Sequence, residues 1–140
     1  MDHLLQVNEW CDYIFDAKII NFGIEFRLRI DNRFSDSDVL SRSIRKLQDY
    51  FEDKLYIGEP VYINRLYSLL GKVDGVAEVR SLKILQRSGS LYSSNRVNFD
   101  DVMSRDGSYM KTPKNAIMEL KFPDLDIKGT IIRWLKDILQ

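Results

Sequence analysis

Cysteine and histidine are almost missing from this sequence: Cys11 and His3 stand alone among 140 residues. A single cysteine cannot close an intramolecular disulfide, and neither residue has companions with which to build a zinc site. Triad chemistry needs a base beside its nucleophile, and the one imidazole lies close to the N-terminus. Cys11, next to Trp10, reads as a small buried hydrophobe. Net charge is missing too, with 21 Lys plus Arg against 21 Asp plus Glu. No overall field therefore draws the chain to nucleic acid or an anionic membrane. No run approaches the roughly 20 apolar residues of a membrane span, and Met1-Asp2-His3-Leu4 lacks the start of a secretory signal. The expectation is a protein folding in a reducing cytoplasm. Of seven glycines, Gly71 and Gly75 flank a turn, and none belongs to a Gly-rich strand-to-helix loop that would cradle phosphate.

What is present is a globular balance, 44% apolar and 30% charged, in a length that suits one domain. From Ile20 to Ile30 apolar and non-apolar residues alternate, which predicts a long strand with one buried and one wet face. Phe34-Ser35-Asp36-Ser37-Asp38 offers caps for a helix whose apolar stripe is Leu40, Ile44, Leu47, Phe51 and Leu55. Tyr56-Ile57-Gly58-Glu59-Pro60 breaks it. Pro60 suits the first turn of a second helix with stripe Ile63, Leu66, Tyr67, Leu70 and Val73. Asp74-Gly75 turns the chain into a second strand marked by Val76, Val79, Leu82 and Ile84, whose imperfect alternation points to a bulge.

Residues 86–114 read as one long loop, with Val97, Phe99, Val102, Tyr109 and Met110 apolar enough to dock on the domain or on a neighbour. Ala116, Met118, Leu120 and Phe122 predict a third strand ended by Pro123-Asp124. Residues 126–131 suggest a short fourth strand, while Ile131, Leu135, Ile138 and Leu139 fall at helical spacing. The expected domain plan is an N-terminal segment, 1–15, followed by a single α+β domain, 16–140. Its expected fold is a three- or four-stranded, largely antiparallel sheet with two helices on one face, in β-α-α-β-β order and a ferredoxin-like or split α+β layout.

Candidate chemistry is sparse. The acid pairs Asp36 and Asp38, Asp100 and Asp101, and Asp124 and Asp126 each have a plainer account, as helix caps, loop polarity and turn formers, so no catalytic, metal or cofactor site is assigned. Arg27, Arg29 and Arg33 form a basic cluster, but Glu25, Asp31, Asp36 and Asp38 interleave with it as on a solvated strand face. Large apolar residues gather at the ends instead: Trp10, Tyr13, Ile14 and Phe15, then Ile132, Trp134, Leu135, Ile138 and Leu139. Interface cores favour such residues, so Trp10, Tyr13, Phe15, Trp134, Leu135 and Ile138 are the candidate interface set. Closing one end of the core is the alternative use.

Two stretches, Ile57-Gly58-Glu59-Pro60-Val61-Tyr62-Ile63 running on to Asp74-Gly75-Val76, and Met118-Glu119-Leu120-Lys121-Phe122-Pro123-Asp124-Leu125-Asp126-Ile127-Lys128-Gly129, carry a family likeness. Across about 16–130 the chain resembles the C-terminal region of the baseplate wedge protein of T-even-type contractile-tailed phages, within the wider baseplate J-like family. The resemblance implies a virion component, assembled in the host cytoplasm, that forms a homodimer, contacts other wedge proteins and has no active site. Family members are much longer than 140 residues, which implies an excised domain or a shortened relative. A small-ligand regulatory domain on a ferredoxin-like scaffold is the alternative reading, resting on fold analogy.

Overall fold

The computed structural model describes residues 17–132. Its elements run β1 (Lys18–Ile30), α1 (Asp36–Tyr50), α2 (Ile63–Gly71), β2 (Val76–Arg87), α3 (Phe99–Val102), β3 (Ala116–Glu119), α4 (Pro123–Asp126) and β4 (Ile127–Ile132). The class is α+β, with a four-stranded mixed sheet built around β1. β2 pairs antiparallel with one edge of β1, while β3 and then β4 pair parallel along the other. The expected predominance of antiparallel pairing does not hold, because both C-terminal strands run in the direction of β1. Pairing direction leaves no trace in the alternation of one strand, so the sequence carried no sign of it.

β1 is central because its even positions supply the core. Phe22, Ile24, Phe26 and Leu28 are buried to 1% exposure or less, and Val39 and Leu47 of α1 join them with Leu66 and Leu70 of α2. Each such side chain contributes about 2 kcal/mol on burial. The α1 stripe is rotated from the expected one: Val39, Ser43 and Leu47 are buried, whereas Leu40, Ile44, Phe51 and Leu55 pack around the core's margin. Ser43 tolerates the interior by donating its hydroxyl to the Val39 carbonyl at 2.8 Å, a bond that conceals it from any hydrophobic pattern.

Two boundaries differ from expectation. Pro60 lies outside α2, which starts at Ile63, because Val61 exchanges two backbone hydrogen bonds with Met110 (2.9 and 2.8 Å) and is held extended. Gly58, at φ +74°, makes the turn before it. β3 ends at Glu119, short of the expected Phe122. The bulge expected in β2 is present twice, since Leu28 faces Val79 after Arg27 faces Ser81, and Ile30 faces Val76 after Arg29 faces Glu78. Arg80 and Ala77 are the extra residues.

Candidate interaction site

The chain leaves the sheet between β3 and β4. On β1 only three steps separate Asn21, partner of Glu119, from Ile24, partner of Ile127. Leu120–Asp126 is therefore a detour, and Pro123 at the start of α4 curls it into one helical turn. Phe122 accepts backbone hydrogen bonds from Leu125 (2.9 Å) and Asp126 (2.8 Å). The turn swings the Asp126 side chain inward, where it is 2% exposed.

That carboxylate sits on the outer face of the sheet, opposite the core. Its Oδ1 accepts the Tyr92 hydroxyl at 2.8 Å and lies 3.3 Å from Arg87 Nε, an ion-pair distance without hydrogen-bond geometry. Gly23 makes the arrangement possible: a Cβ there would come within 2.8 Å of the Asp126 carbonyl oxygen and 3.1 Å of Arg87 Nε. The carboxylate raises the pKa of the Tyr92 phenol above its ordinary value, chiefly by accepting its proton in a hydrogen bond.

A second buried group extends the cluster. Asn21, 1% exposed, donates to Glu119 Oε1 at 2.8 Å and accepts the backbone N–H of Ser93 at 2.7 Å. Around these anchors, Gln86 exchanges two hydrogen bonds with the Val97 backbone (2.7 and 2.9 Å), and Lys121 Nζ donates to the Leu91 carbonyl. The Tyr92 and Phe122 rings meet edge to face, 5.5 Å between centroids. The strand face expected to be wet is thus covered at Asn21 by Ser93 and at Gly23 by Asp126 and Arg87, and opens only from Glu25 onwards.

Two loops clamped together in this way present bare leucines: Leu91 is 63% exposed and Leu125 is 61% exposed, each adjoining an anchored residue. Contacts fixed by buried polar groups need little ordering on binding, which is the property of a preformed docking surface. A separate groove of ≈ 660 Å³ opens between the C-terminal end of α1 and the β3 detour, with Phe22, Phe51, Leu55 and Met118 in its lining.

The residues expected to carry an interface, Trp10, Tyr13, Phe15, Trp134, Leu135 and Ile138, lie outside the described residues, as do His3 and Cys11. The acid pairs are not gathered. Asp36 and Asp38 occupy the first turn of α1, after an N-cap Ser35 that makes no side-chain cap bond. Asp100 and Asp101 occupy the first turn of α3, where Asn98 accepts the Asp100 N–H at 3.0 Å. Asp124 accepts from Gln48 at 3.1 Å while Asp126 turns inward. Arg29 pairs with Glu78 at 3.2 Å and Arg33 with Asp31 at 2.8 Å. Among the described residues no group of three or more His, Cys, Asp or Glu is placed to hold a metal ion, and no helix is long and apolar enough to cross a membrane.

Sequence reasoning passed over Asn21, Arg87 and Tyr92 as site residues and read Asp126 as a turn former. One signal for them existed: the outer-face positions of β1 are small or uncharged at Asn21 and Gly23 and become charged at Glu25, Arg27 and Arg29. In comparisons with known proteins, no family model matches the chain, and no curated protein matches it.

Proposed function

We propose that this chain is a structural assembly domain of a contractile phage-tail baseplate, one that joins a second copy of itself and neighbouring wedge proteins and catalyses no reaction. The resemblance motifs support the reading by where they fall. Gly58 and Gly75 are turns with φ of +74° and +95°, and the Phe122–Asp126 stretch forms the detour that carries Leu125. Residues with such duties define an architecture, without supplying reacting groups. A split α+β layout, both long helices against the core face of the sheet, suits the shared core of Phe26, Leu47 and Leu66. The observation that carries the proposal is the pair of leucines more than 60% exposed on loops locked by Asp126 and Asn21. Two copies that share one such face form a two-fold dimer.

Sedimentation equilibrium at micromolar concentration tests it. The parent is expected to dimerise, and Leu91→Asp with Leu125→Asp to give a folded monomer whose unfolding midpoint, unlike the parent's, does not change with protein concentration. A parent that is strictly monomeric and has no affinity for baseplate partners would end the proposal. The ≈ 660 Å³ groove favours a second reading, a regulatory domain for a small effector, since ligand sites fall in that size range. Thermal-shift screening with amino acids and nucleotides separates the two, as a ligand at 100 times its Kd adds about 2.7 kcal/mol.

A further inference from the structure

Among the described residues β3 has a strand partner on one side only, where it pairs with β1. The Lys18 N–H bonds to the Asn115 carbonyl at 2.7 Å, which fixes the phase of this parallel ladder. The backbone groups of residues 115, 117 and 119 point at β1, and those of 116, 118 and 120 point away from it. At Ala116 the outward groups are satisfied, the N–H by the Pro113 carbonyl (3.0 Å) and the C=O by the Gly58 N–H (2.8 Å). Further along, the N–H and C=O of Met118 and the N–H of Leu120 meet no backbone partner among the described residues.

Both residues line the ≈ 660 Å³ groove, together with Phe51 and Leu55. A strand edge beside an apolar groove is where an extended segment adds as a further strand: backbone hydrogen bonds hold it, and every second side chain enters the groove. Charge decides what kind of segment fits. Asp49, Glu52 and Asp53 stand exposed on the rim where α1 ends, and among the described residues none of them is in an ion pair. Glu119 and Asp124 add to this acidic lining, against Lys54 and Lys121. We infer that the groove takes an extended apolar segment of a partner protein, flanked by lysine or arginine, which joins the sheet through Met118 and Leu120. Neither Leu91 nor Leu125 lines this groove, so the inference does not rest on the dimer face.

The probe is an acetylated, amidated peptide, Lys-Val-Thr-Val-Thr-Val-Lys, titrated into the isotope-labelled full chain and followed by NMR. Expected is saturable binding at millimolar peptide or below, with amide exchange at Met118 and Leu120 slowed several-fold in the complex. A peptide carrying glutamate in place of both lysines should bind about tenfold more weakly, since two rim attractions become repulsions. A fully N-methylated form of the first peptide, which has no backbone donors, should not bind. Glu52→Lys with Asp53→Lys, both at exposed positions, should reverse the preference between the lysine and glutamate peptides and leave the chain folded. The inference is overturned by absence of binding at millimolar peptide, by equal binding of the two charged peptides, or by a preference that survives the charge reversal. Undiminished binding of the N-methylated peptide also overturns it and leaves the groove to small apolar ligands. So does protection of the Met118 and Leu120 amides before peptide is added, which assigns the edge to the chain itself if it is independent of concentration and to a second copy if it is lost on dilution.

Discussion

Asp126 shows how much one side chain governs here. Its carboxylate is buried, and among the described residues Tyr92 and Arg87 are its side-chain partners, so truncation strands a guanidinium and a phenol together. Asp126→Ala should therefore cost about 3 kcal/mol, while Tyr92→Phe, which removes one bond to a charged group, should cost about 2 kcal/mol. Urea denaturation of both variants measures this, and equal, near-zero losses would show that the cluster is not holding the loop. Asp31 behaves differently because it is exposed. It accepts the Arg33 guanidinium (2.8 Å) and the Arg33 backbone N–H (2.9 Å), and the side-chain bond foremost lowers its pKa from 3.8 to about 2. A depressed folded-state pKa means that the contribution is present above pH 3.8 and is lost as pH falls through about 2. An NMR titration of Asp31 should find its midpoint near 2, moving back towards the ordinary carboxylate value in Arg33→Ala.

At the scale of elements, β4 and α2 give opposite answers to the same substitution. A Cβ at Gly129 would run into the Phe26 ring and lie 2.7 Å from Leu40 Cδ1, so this glycine sets how closely α1 approaches β4. Gly129→Ala should destabilise by about 2 kcal/mol through overpacking. Gly71, the last residue of α2, has nothing within 4 Å of its would-be Cβ, and Gly71→Ala should stabilise by about 0.5 kcal/mol. Thermal unfolding of the two variants, shifting in opposite directions, checks both. Elements whose partners are local or repeat regularly were legible in the sequence: β1 from its alternation, the two long helices from their spacing, the β2 bulges from broken alternation, whereas the short α3 lay within the stretch read as a loop. The rest depended on distant residues. Nothing near Glu119 says that β3 stops there, because what stops it is the three-step span on β1 that the detour must bridge. Asp126 read as a turn former, and only Tyr92 and Arg87, far away in sequence, make it an anchor.

For the molecule as a whole, the long connection after β2 belongs to the fold. Tyr92 and Ser93 fasten its first part to the outer face, and Met110 brings its last part into the core, where it is fully buried. Met110 also bridges to both Val61 and Met103, so the segment leading into α2 and the end of the loop share one hydrogen-bonded strip. A loop of this length that only connected two strands would open without disturbing the sheet. This one cannot open at Met110 without uncovering the core and releasing Val61 together. Met110→Ala should therefore lower global stability by about 3 kcal/mol, within the usual range for emptying a buried Met site. In hydrogen exchange the loss should reach the β1 amides as well as those of residues 104–111. Faster exchange confined to 104–111, with β1 unaffected, would show instead that the loop is a detachable layer.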